Sequence, residues 1–296
     1  MLKGRLGLES ARIPHADRSG LLWLSRGNLS VQDGTLIFER RVKIAETREL
    51  APGHYTVPFQ NISMILLGPG STVSHDALRL MASNGTAMAA VGQDGVRLYT
   101  APPLVSDKSS LARRQAACWA DTKSRLDIAR RMYAWRFGQV LPHRDISVLR
   151  GIEGSRMKKS YQIIAGQIGI EWKGRKYDRS KPESSDFANQ ALNHASTAVE
   201  AAAAIAVSAT STVPQLGFIH EDPGQSFVLD ISDLYRTGLT IPTAFQCAKQ
   251  VSNSPTLNIE RVTRQAIGQE LVRQNIIPDM ISRIKKLFED PSKAKK

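Results

Sequence analysis

Cysteine is scarce in this chain, and its two copies, Cys118 and Cys247, lie far apart in segments with helical periodicity. Two distant cysteines exclude a disulfide-stapled scaffold and a cysteine-based zinc site. We therefore interpret both as free thiols in a helical core, where cysteine behaves as a small hydrophobic residue. A metal-independent hydrolase that uses one of these thiols as its nucleophile stays open as an alternative.

Long apolar runs are also missing. The first ten residues, MLKGRLGLES, lack the apolar core of a signal peptide. The nearest candidate for a membrane span, at 195–213, is rich in Ala, Ser and Thr and contains Glu200. We interpret it as a packed central helix, and we expect a cytoplasmic protein with no membrane partner.

Several common catalytic signatures are absent. The sequence contains no phosphate-binding Gly-rich loop with lysine, no Gly-x-Ser-x-Gly elbow and no His-Glu-x-x-His zinc helix. The run RRMYAWRFG at 130–138 interleaves arginines with aromatic residues. Nucleic-acid contact is one explanation, but an amphipathic helix with core aromatics and an exposed basic face accounts for the spacing equally well, and we favour that division.

Acidic residues are outnumbered, with 27 Asp and Glu against 40 Lys and Arg, and the formal net charge is +13. The excess is concentrated at 101–160, where thirteen basic residues face five acidic ones, a difference of +8. A basic balance of this size indicates a polyanionic partner, nucleic acid or an anionic surface, more than it indicates any fold.

Residues 21–99 alternate short β-type runs with turns, which predicts a small β-rich domain. The runs are LLWLS, NLSVQ, TLIFER, HYTVPF, SMILL, TAMAAV and VRLYT, with a tight turn at 32–34. One helix is predicted within them, at SHDALRLMASNG, where Ser74 can cap the start and Asn84-Gly85 can stop the end. Ala101-Pro102-Pro103 then breaks the pattern, and we place a domain boundary there.

Beyond that break the periodicity is mostly helical. One extended hairpin is predicted at 170–178, with its turn at Lys173-Gly174. The sequence thus predicts an α+β protein, with a β-rich N-terminal domain at 1–100, an all-helical domain at 104–290 and a basic tail at 291–296. The predicted helices of the second domain cover 106–138, 147–169, 186–210, 226–237, 242–251, 257–274 and 277–289.

A glutamate occupies an unexpected position in LRGIEGSR, residues 149–156. If 148–168 is one helix, Glu153 shares a face with Leu149, Met157, Tyr161, Ile164 and Ile168. A carboxylate on an apolar face is costly unless a metal ion, a cation or a proton compensates its charge. Arg150 and Arg156, three residues away on either side, make an intrahelical ion pair as plausible as a metal.

A second informative stretch is LGFIHEDPGQSFVLDISDLY at 216–235. Asp222-Pro223-Gly224 reads as a turn and Ser226 as the cap of a following helix. Asp230 and Asp233 then emerge on one side of that helix, soon after His220. Carboxylates with one imidazole suit magnesium or manganese. From spacing alone, however, a histidine in this position is more often a satisfied core or loop residue, and a pair of aspartates is more often a solvated face or a capping group.

These strings, together with VSHDALRLMASNGTAMAAVGQDGVRLY, resemble the CRISPR-associated integrase, the larger of the two proteins of the CRISPR adaptation module, in its type I-E form. The similarity covers about residues 20–250, and the motifs follow the order of that family. The resemblance implies a β-rich domain that forms a homodimer, and a helical catalytic domain. It also implies that two dimers flank a dimer of the small adaptation partner protein.

The resemblance further implies a Mg²⁺ or Mn²⁺ site held by Glu153, His220 and Asp233, with Asp230 as a further acidic residue needed for activity. The activity implied is metal-dependent DNA cleavage and the joining of a 3′-hydroxyl end of foreign DNA into a CRISPR array by transesterification. A non-catalytic DNA-binding assembly subunit is the alternative. The partner implied is double-stranded DNA, both the foreign fragment and the array.

Several residues are predicted to contact that DNA. Arg79 and Arg97 match DNA-contacting arginines of the family. Tyr177 matches a tyrosine that lies near the end of the bound DNA and helps recognise the protospacer-adjacent motif. Arg26 stands where the family has a tyrosine that wedges against the duplex end, and Pro223 stands where it has a lysine. If Glu153 is a metal ligand, its neighbours are free to meet phosphates, which adds two more residues, Arg150 and Arg156.

Overall fold

The computed structural model describes residues 21–40, 51–100, 109–143, 145–176, 186–221, 224–254 and 256–289. Several sequence-based predictions fall at least partly outside these ranges. They include the DNA contact of Tyr177, the domain boundary at 101–103, the start of the helix predicted over 106–138, the end of the hairpin predicted at 170–178, the turn at Asp222-Pro223 and the basic tail at 291–296.

The described part of the N-terminal half contains two small sheets. The strands are β1 (Leu21–Leu24), β2 (Gly27–Gln32), β3 (Thr35–Arg40), β4 (Gly53–Thr56), β5 (Met64–Leu67), β6 (Thr72–Val73) and β7 (Ala87–Ala90). One sheet has three parallel strands in the order β1-β5-β7, and the other has four strands in the order β4-β3-β2-β6. The predicted α+β class is confirmed.

Local sequence explains the hairpin and the helix of this half. Asp33 and Gly34 join β2 to β3 with φ values of 49° and 74°, the left-handed geometry that a two-residue hairpin turn requires. Helix α1 (His75–Asn84) begins where Ser74 Oγ accepts a hydrogen bond from Ala77 N at 3.2 Å. It ends at Gly85, with φ 69°, so both predicted boundaries are confirmed.

The three-stranded sheet lies between the core of the N-terminal half and the core formed with the helices, and it contributes to both. Along β5 the side chains alternate, and Met64 and Leu66 join the large core formed with the helices. Ile65 and Leu67 point to the other side and join the smaller core of the N-terminal half. An all-apolar strand that is buried on both faces is typical of a sheet covered on two sides, so the predicted domains pack directly against each other.

The C-terminal half is helical, as predicted. The central helix α5 (Phe187–Ala209) is lined with small buried residues such as Ala195, Ala202 and Ala206, so neighbouring helices approach it closely. The helices are α2 (Ser110–Ala120), α3 (Thr122–Phe137), α4 (Ile146–Ile168), α5 (Phe187–Ala209), α6 (Ser226–Asp233), α7 (Ile241–Asn253), α8 (Ile259–Arg273) and α9 (Ile276–Leu287).

Four predictions about local structure were wrong. The single helix over 106–138 is broken at Asp121, whose carboxylate accepts a hydrogen bond from Ser124 N at 2.8 Å and so begins a new helix. The helix predicted over 226–237 ends at Asp233 and is followed by a π-helical turn at Arg236–Thr240. Residues 171–176 form no strand, and the run 96–100 makes only the single bridge between Val91 and Leu98.

Ser226 also differs from its predicted role as a helix cap. It is the first residue of α6, and its hydroxyl donates to Gln215 O at 2.6 Å and accepts from Gly217 N at 2.9 Å. A Cβ on Gly217 would lie 2.6 Å from the Ser226 Cβ, so glycine is needed for this close approach.

No helix of the described residues is long and apolar enough to cross a membrane.

Candidate functional site

Glu153 projects from the middle of α4 toward α3, and 15% of its side chain is exposed. The face predicted from periodicity is confirmed, since Leu149, Met157 and Tyr161 are buried on it. Two groups of α3 hold the carboxylate. The Tyr133 hydroxyl donates to Oε2 at 2.8 Å, and Arg136 Nη1 forms an ion pair with Oε1.

The hypothesis of an intrahelical ion pair to Glu153 was wrong. Arg150 donates from Nε to Ile219 O at 2.9 Å and pairs with Glu221 at 3.1 Å. Arg156 lies over the Phe137 ring, 5.1 Å from its centroid. Both arginines therefore have partners other than Glu153, and their contact with phosphates stays a prediction.

Asp230 anchors the segment that carries His220. Its side chain is fully buried, and its carboxylate accepts hydrogen bonds from the backbone N–H groups of Phe218 at 2.5 Å, Ile219 at 3.1 Å and His220 at 2.9 Å. The interpretation of Asp230 as a solvated acidic residue was therefore wrong. Four short contacts, counting the one to the His220 ring, leave it little capacity to bind anything else.

The imidazole of His220 is oriented by Asp230. Nδ1 lies 2.8 Å from Asp230 Oδ1, and because a carboxylate only accepts, Nδ1 carries the proton and Nε2 faces away. Nε2 lies 3.7 Å from Asp233 Oδ2. Burial opposes the charged imidazolium, but the hydrogen bond to Asp230 and the charges of Asp230, Asp233 and Glu153 outweigh it and raise the pKa of His220.

Asp233, the last residue of α6, completes the group. Its Oδ2 lies 3.3 Å from Arg136 Nη1, and its Oδ1 accepts from Arg236 Nη1 at 2.8 Å. Burial alone would raise the pKa of this carboxyl, but the two guanidinium groups and His220 lower it. Asp233 is thus held as a carboxylate.

The structure therefore brings Glu153, His220 and Asp233 together from three separate parts of the chain. The donor set of two carboxylates and one imidazole suits Mg²⁺ or Mn²⁺, and a cationic group, the Arg136 guanidinium, already spans the two carboxylates. Within the described ranges, no three or more His, Cys, Asp or Glu side chains have the spacing of a metal site. The chemistry fits a divalent cation, and the role of these residues as ligands stays a prediction.

Sequence reasoning missed Tyr133 and Arg136, both in the run RRMYAWRFG. The predicted division placed the arginines of this run on an exposed face, yet only 2% of the Arg136 side chain is exposed. Arg130 and Arg131 bind the backbone carbonyls of Leu141 and Lys286. The three-residue step from Tyr133 to Arg136 puts both on one helix face, which was the available signal.

Gln115 and Glu200 were missed as well. Gln115 is fully buried in α2, where it donates to Val213 O at 2.9 Å and Leu216 O at 3.0 Å and accepts from Val213 N at 2.7 Å. It thereby braces the loop that leads to His220. Glu200 of α5 is part-buried, and burial together with the charge of Asp233 raises its pKa. Gln115 does not stand out in a sequence pattern, whereas Glu200 is the one acidic residue of the Ala-rich run 195–213.

Arg79 and Arg97, which are predicted to contact DNA, are more exposed than the carboxylates of the acidic site. The Arg79 side chain is 73% exposed and pairs with Asp76 at 3.1 Å. Arg97 is 45% exposed and pairs with Glu260 at 2.9 Å. It lines a cleft of about 1300 Å³ together with three residues that sequence reasoning did not select, Tyr99, Arg261 and Arg264.

Arg26 is exposed and lies between β1 and β2 with φ 55°, a left-handed conformation that is costly for a residue with a Cβ. Its backbone N–H donates to Pro69 O at 3.1 Å.

The two cysteines are poorly suited to act as nucleophiles, because burial raises the pKa of both the Cys118 and the Cys247 thiol.

Comparison with known proteins identifies related sequences. The family model for CRISPR associated protein Cas1 matches residues 21–140 and 134–256. A CRISPR-associated endonuclease Cas1 of Clostridium sp. (strain SY8519) is 33% identical over 278 residues, which cover 92% of this chain and 87% of that protein. Proteins of the same name from Geobacter sulfurreducens and Escherichia coli (strain K12) are 33% and 32% identical over 267 residues, covering 90% of this chain and 84% and 85% of those proteins.

Solved structures give the same result for the fold. The crystal structure of a TtCas1–DNA complex superposes with a TM-score of 0.80 at 28% identity, covering 93% of this chain and 98% of that one. A casposase bound to its integration product superposes with a TM-score of 0.62 at 16% identity, covering 94% of this chain and 97% of that one. At that identity the second likeness concerns the fold alone.

Proposed function

The chain belongs to the CRISPR-associated Cas1 family, and on that premise we propose that it is a metal-dependent DNA endonuclease and integrase of CRISPR adaptation. Its reaction is the joining of 3′-hydroxyl ends of foreign DNA fragments into a CRISPR array by transesterification. The type I-E form, the homodimer and the complex with the small adaptation partner protein are parts of the same proposal.

The observation that carries the proposal is the convergence of Glu153, His220 and Asp233. They come from α4, the loop before α6 and the end of α6, and the same Arg136 Nη1 contacts both carboxylates. Burying two carboxylates beside each other is unfavourable for stability unless a cation compensates them. A fold that nevertheless assembles them is typical of a site selected for chemistry.

The relatives support the reaction class. Three proteins that align with about nine tenths of this chain are named CRISPR-associated endonucleases, and the superposed TtCas1 is bound to DNA. The formal net charge of +13 of this chain agrees with a polyanionic substrate.

Glu153, His220 and Asp233 would hold the Mg²⁺ or Mn²⁺ ion. Bound there, the ion would supply neutralisation of the charge that develops on the phosphate oxygens and would favour ionisation of the attacking 3′-hydroxyl. The chain's own contribution is orientation. Asp230 fixes the His220 ring with Nε2 directed into the site, and Tyr133 fixes the Glu153 carboxylate.

The exchange itself needs no covalent enzyme intermediate. The 3′-oxygen of the incoming strand forms a bond to phosphorus, the bond from phosphorus to the 3′-oxygen of the array strand breaks, and that oxygen leaves with a proton. Where water replaces the 3′-hydroxyl, the same site cleaves DNA. Five arginines are proposed to hold phosphates or the duplex end without reading sequence through base edges; they are Arg79, Arg97, Arg150, Arg156 and Arg26. Tyr177 is proposed to lie near the end of the bound DNA and to help recognise the protospacer-adjacent motif.

A strand-transfer assay tests the proposal. The purified chain, its small partner protein, a duplex fragment and supercoiled CRISPR DNA are combined with Mg²⁺ or Mn²⁺. A matched fragment that ends in a 3′-deoxynucleotide, and EDTA in place of the metal, serve as controls. Joined product is expected only with the 3′-hydroxyl and the metal. DNA binding without joined product under all conditions would favour the alternative, a non-catalytic assembly subunit.

A further inference from the structure

Arg136 is a buried cation at the centre of the acidic site. Only 2% of its side chain is exposed, and Nη1 contacts Glu153 and Asp233. The guanidinium also lies 5.5 Å from the Phe137 ring centroid. Among the described residues its Nε has no hydrogen-bond partner. Because one buried N–H is unsatisfied, the contacts that favour this position of the guanidinium are the two carboxylates and the Phe137 ring.

The four carboxylate oxygens of Glu153 and Asp233 all have contacts. Tyr133 donates to Glu153 Oε2, and Arg236 donates to Asp233 Oδ1 at 2.8 Å. The two remaining atoms, Glu153 Oε1 and Asp233 Oδ2, both face Arg136 Nη1. Asp233 Oδ2 is also the atom that lies 3.7 Å from His220 Nε2. Arg136 therefore contacts the one oxygen of each carboxylate that neither Tyr133 nor Arg236 binds.

We infer that Arg136 is a positioning residue that holds Glu153 and Asp233 together in the metal-free protein and competes with the divalent cation for Glu153 Oε1 and Asp233 Oδ2. The inference rests on the proposed metal site. Without a cation, two carboxylates in a poorly solvated site repel each other, so Arg136 keeps them near their working positions. Metal binding then displaces Nη1, and that displacement lowers the apparent metal affinity.

The test is a titration with Mn²⁺ in which the electron paramagnetic resonance signal of free Mn²⁺ gives the dissociation constant. In Arg136→Gln the competing charge is gone, and we expect Mn²⁺ to bind at least about tenfold more tightly than in the unchanged chain. The matched control is Arg283→Gln, because Arg283 pairs with a carboxylate, Asp279, at 2.7 Å but contacts neither Glu153 nor Asp233. Its dissociation constant is expected to stay within twofold.

Thermal unfolding supplies a second readout that is independent of activity. In EDTA, Arg136→Gln is expected to unfold at a lower temperature than the unchanged chain, because the two carboxylates have lost a counter-ion. A metal that binds only the folded state stabilises it in proportion to the logarithm of its concentration over its dissociation constant. Saturating Mn²⁺ is therefore expected to raise the melting temperature of Arg136→Gln by more than it raises that of the unchanged chain.

The outcomes separate this inference from the proposed function. If the unchanged chain binds Mn²⁺ and Glu153→Gln binds it equally well, the proposed metal site fails. If Glu153→Gln weakens binding but Arg136→Gln binds equally or more weakly, the site stands and the competition is refuted. Should Arg136→Gln not fold, the structure of the unchanged chain with Mn²⁺ decides: Nη1 is expected to leave both oxygens, and its retention beside the bound ion overturns the inference.

Discussion

The carboxylates of the acidic site are mostly buried, whereas Arg79 and Arg97, which are predicted to contact DNA, are exposed. Glu153, Asp230 and Asp233 have side-chain exposures of 15%, 0% and 14%, and each has several specific partners. Arg79 and Arg97 are 73% and 45% exposed, and each has a single surface ion pair. Such surface pairs contribute at most about 1 kcal/mol, so these arginines exchange partners easily.

This difference in burial determines which charged side chains are fixed in position before a ligand binds. A buried charge is tolerated only with partners in place, so the fold fixes the carboxylates and His220 in advance. An exposed arginine is free to leave its surface carboxylate for a phosphate. If the proposed roles hold, the chain combines a preorganised site for chemistry with adaptable contacts for DNA phosphates.

The largest expected effect comes from Glu153→Gln, which keeps the size and the hydrogen-bonding shape of the side chain and removes its charge. If the carboxylate serves the metal, strand joining is expected to fall at least about a thousandfold, since metal catalysis supplies several kcal/mol. DNA affinity is expected to change less than twofold. The measurement is joined product per unit time beside a filter-binding assay.

The control for that variant is Glu221→Gln, which also removes one glutamate charge. Glu221 is exposed and pairs with Arg125 and Arg150, so joining is expected to stay within a fewfold of the unchanged chain. Full joining by Glu153→Gln would mean that the buried site is not the site of chemistry, and the comparison between the two regions would lose its basis.

Asp230→Asn is expected to have the next largest effect. An amide keeps one acceptor oxygen but puts an NH2 group opposite either the backbone donors of Phe218 and Ile219 or the N–H groups of His220, so the segment that orients His220 loses part of its anchor. Partners that orient metal ligands are typically worth ten- to a hundredfold in metal affinity or activity. We expect a Mn²⁺ dissociation constant raised by about that factor, with joining reduced in parallel.

Asp279→Asn distinguishes orientation from simple destabilisation. Asp279 also accepts short hydrogen bonds, from Tyr235 at 2.6 Å and Arg283 at 2.7 Å, but it lies on α9. A comparable loss of melting temperature with unchanged Mn²⁺ affinity is expected. Equal losses of metal affinity in both variants would show that Asp230 acts only through the stability of the fold.

On the arginine side, Arg97→Gln is expected to weaken DNA binding modestly and to reduce the slope of log affinity against log salt by about one unit. The opposite change is available in the same pair. Glu260→Gln removes the carboxylate that holds Arg97 at 2.9 Å, so it is expected to tighten DNA binding. An unchanged slope in Arg97→Gln would remove this residue from the DNA path.

Arg26→Gly is expected to have the smallest effect. Glycine relieves the left-handed backbone at φ 55°, which costs a residue with a side chain roughly 1 kcal/mol, so the melting temperature is expected to rise slightly. If Arg26 contacts the duplex end, affinity for a short blunt-ended fragment falls while affinity for a circular DNA does not. Equal affinity changes for the two substrates would argue against that contact.

The sequence predicted features that depend on neighbours in the chain. Ser74 and Gly85 set the ends of α1 through backbone conformation, and the three- and four-residue spacing around Glu153 gave the direction of its side chain. Spacing did not reveal the partner of Glu153. Arg136 precedes it by seventeen residues on another helix, and only the packing of α3 against α4 brings them together.

The same limit explains the other differences. Asp230 has the sequence context of an exposed helical carboxylate, but the backbone of Phe218 to His220 folds over it and makes it an anchor. Arg150 and Arg156 lie one turn from Glu153, yet Arg150 binds a carbonyl of the loop before α6 and Arg156 lies over the Phe137 ring of α3. Tertiary contacts outweighed the local ones in each case, as expected where burial makes an unpaired charge costly.

Anomalous diffraction from crystals of the unchanged chain grown with Mn²⁺ tests the central claim most directly. The expected result is one anomalous peak at about 2.0 to 2.3 Å from an oxygen of Glu153, an oxygen of Asp233 and His220 Nε2, and its loss in crystals of Glu153→Gln. A peak bound elsewhere, or an unaltered peak in that variant, would contradict the assignment of this site as the metal centre.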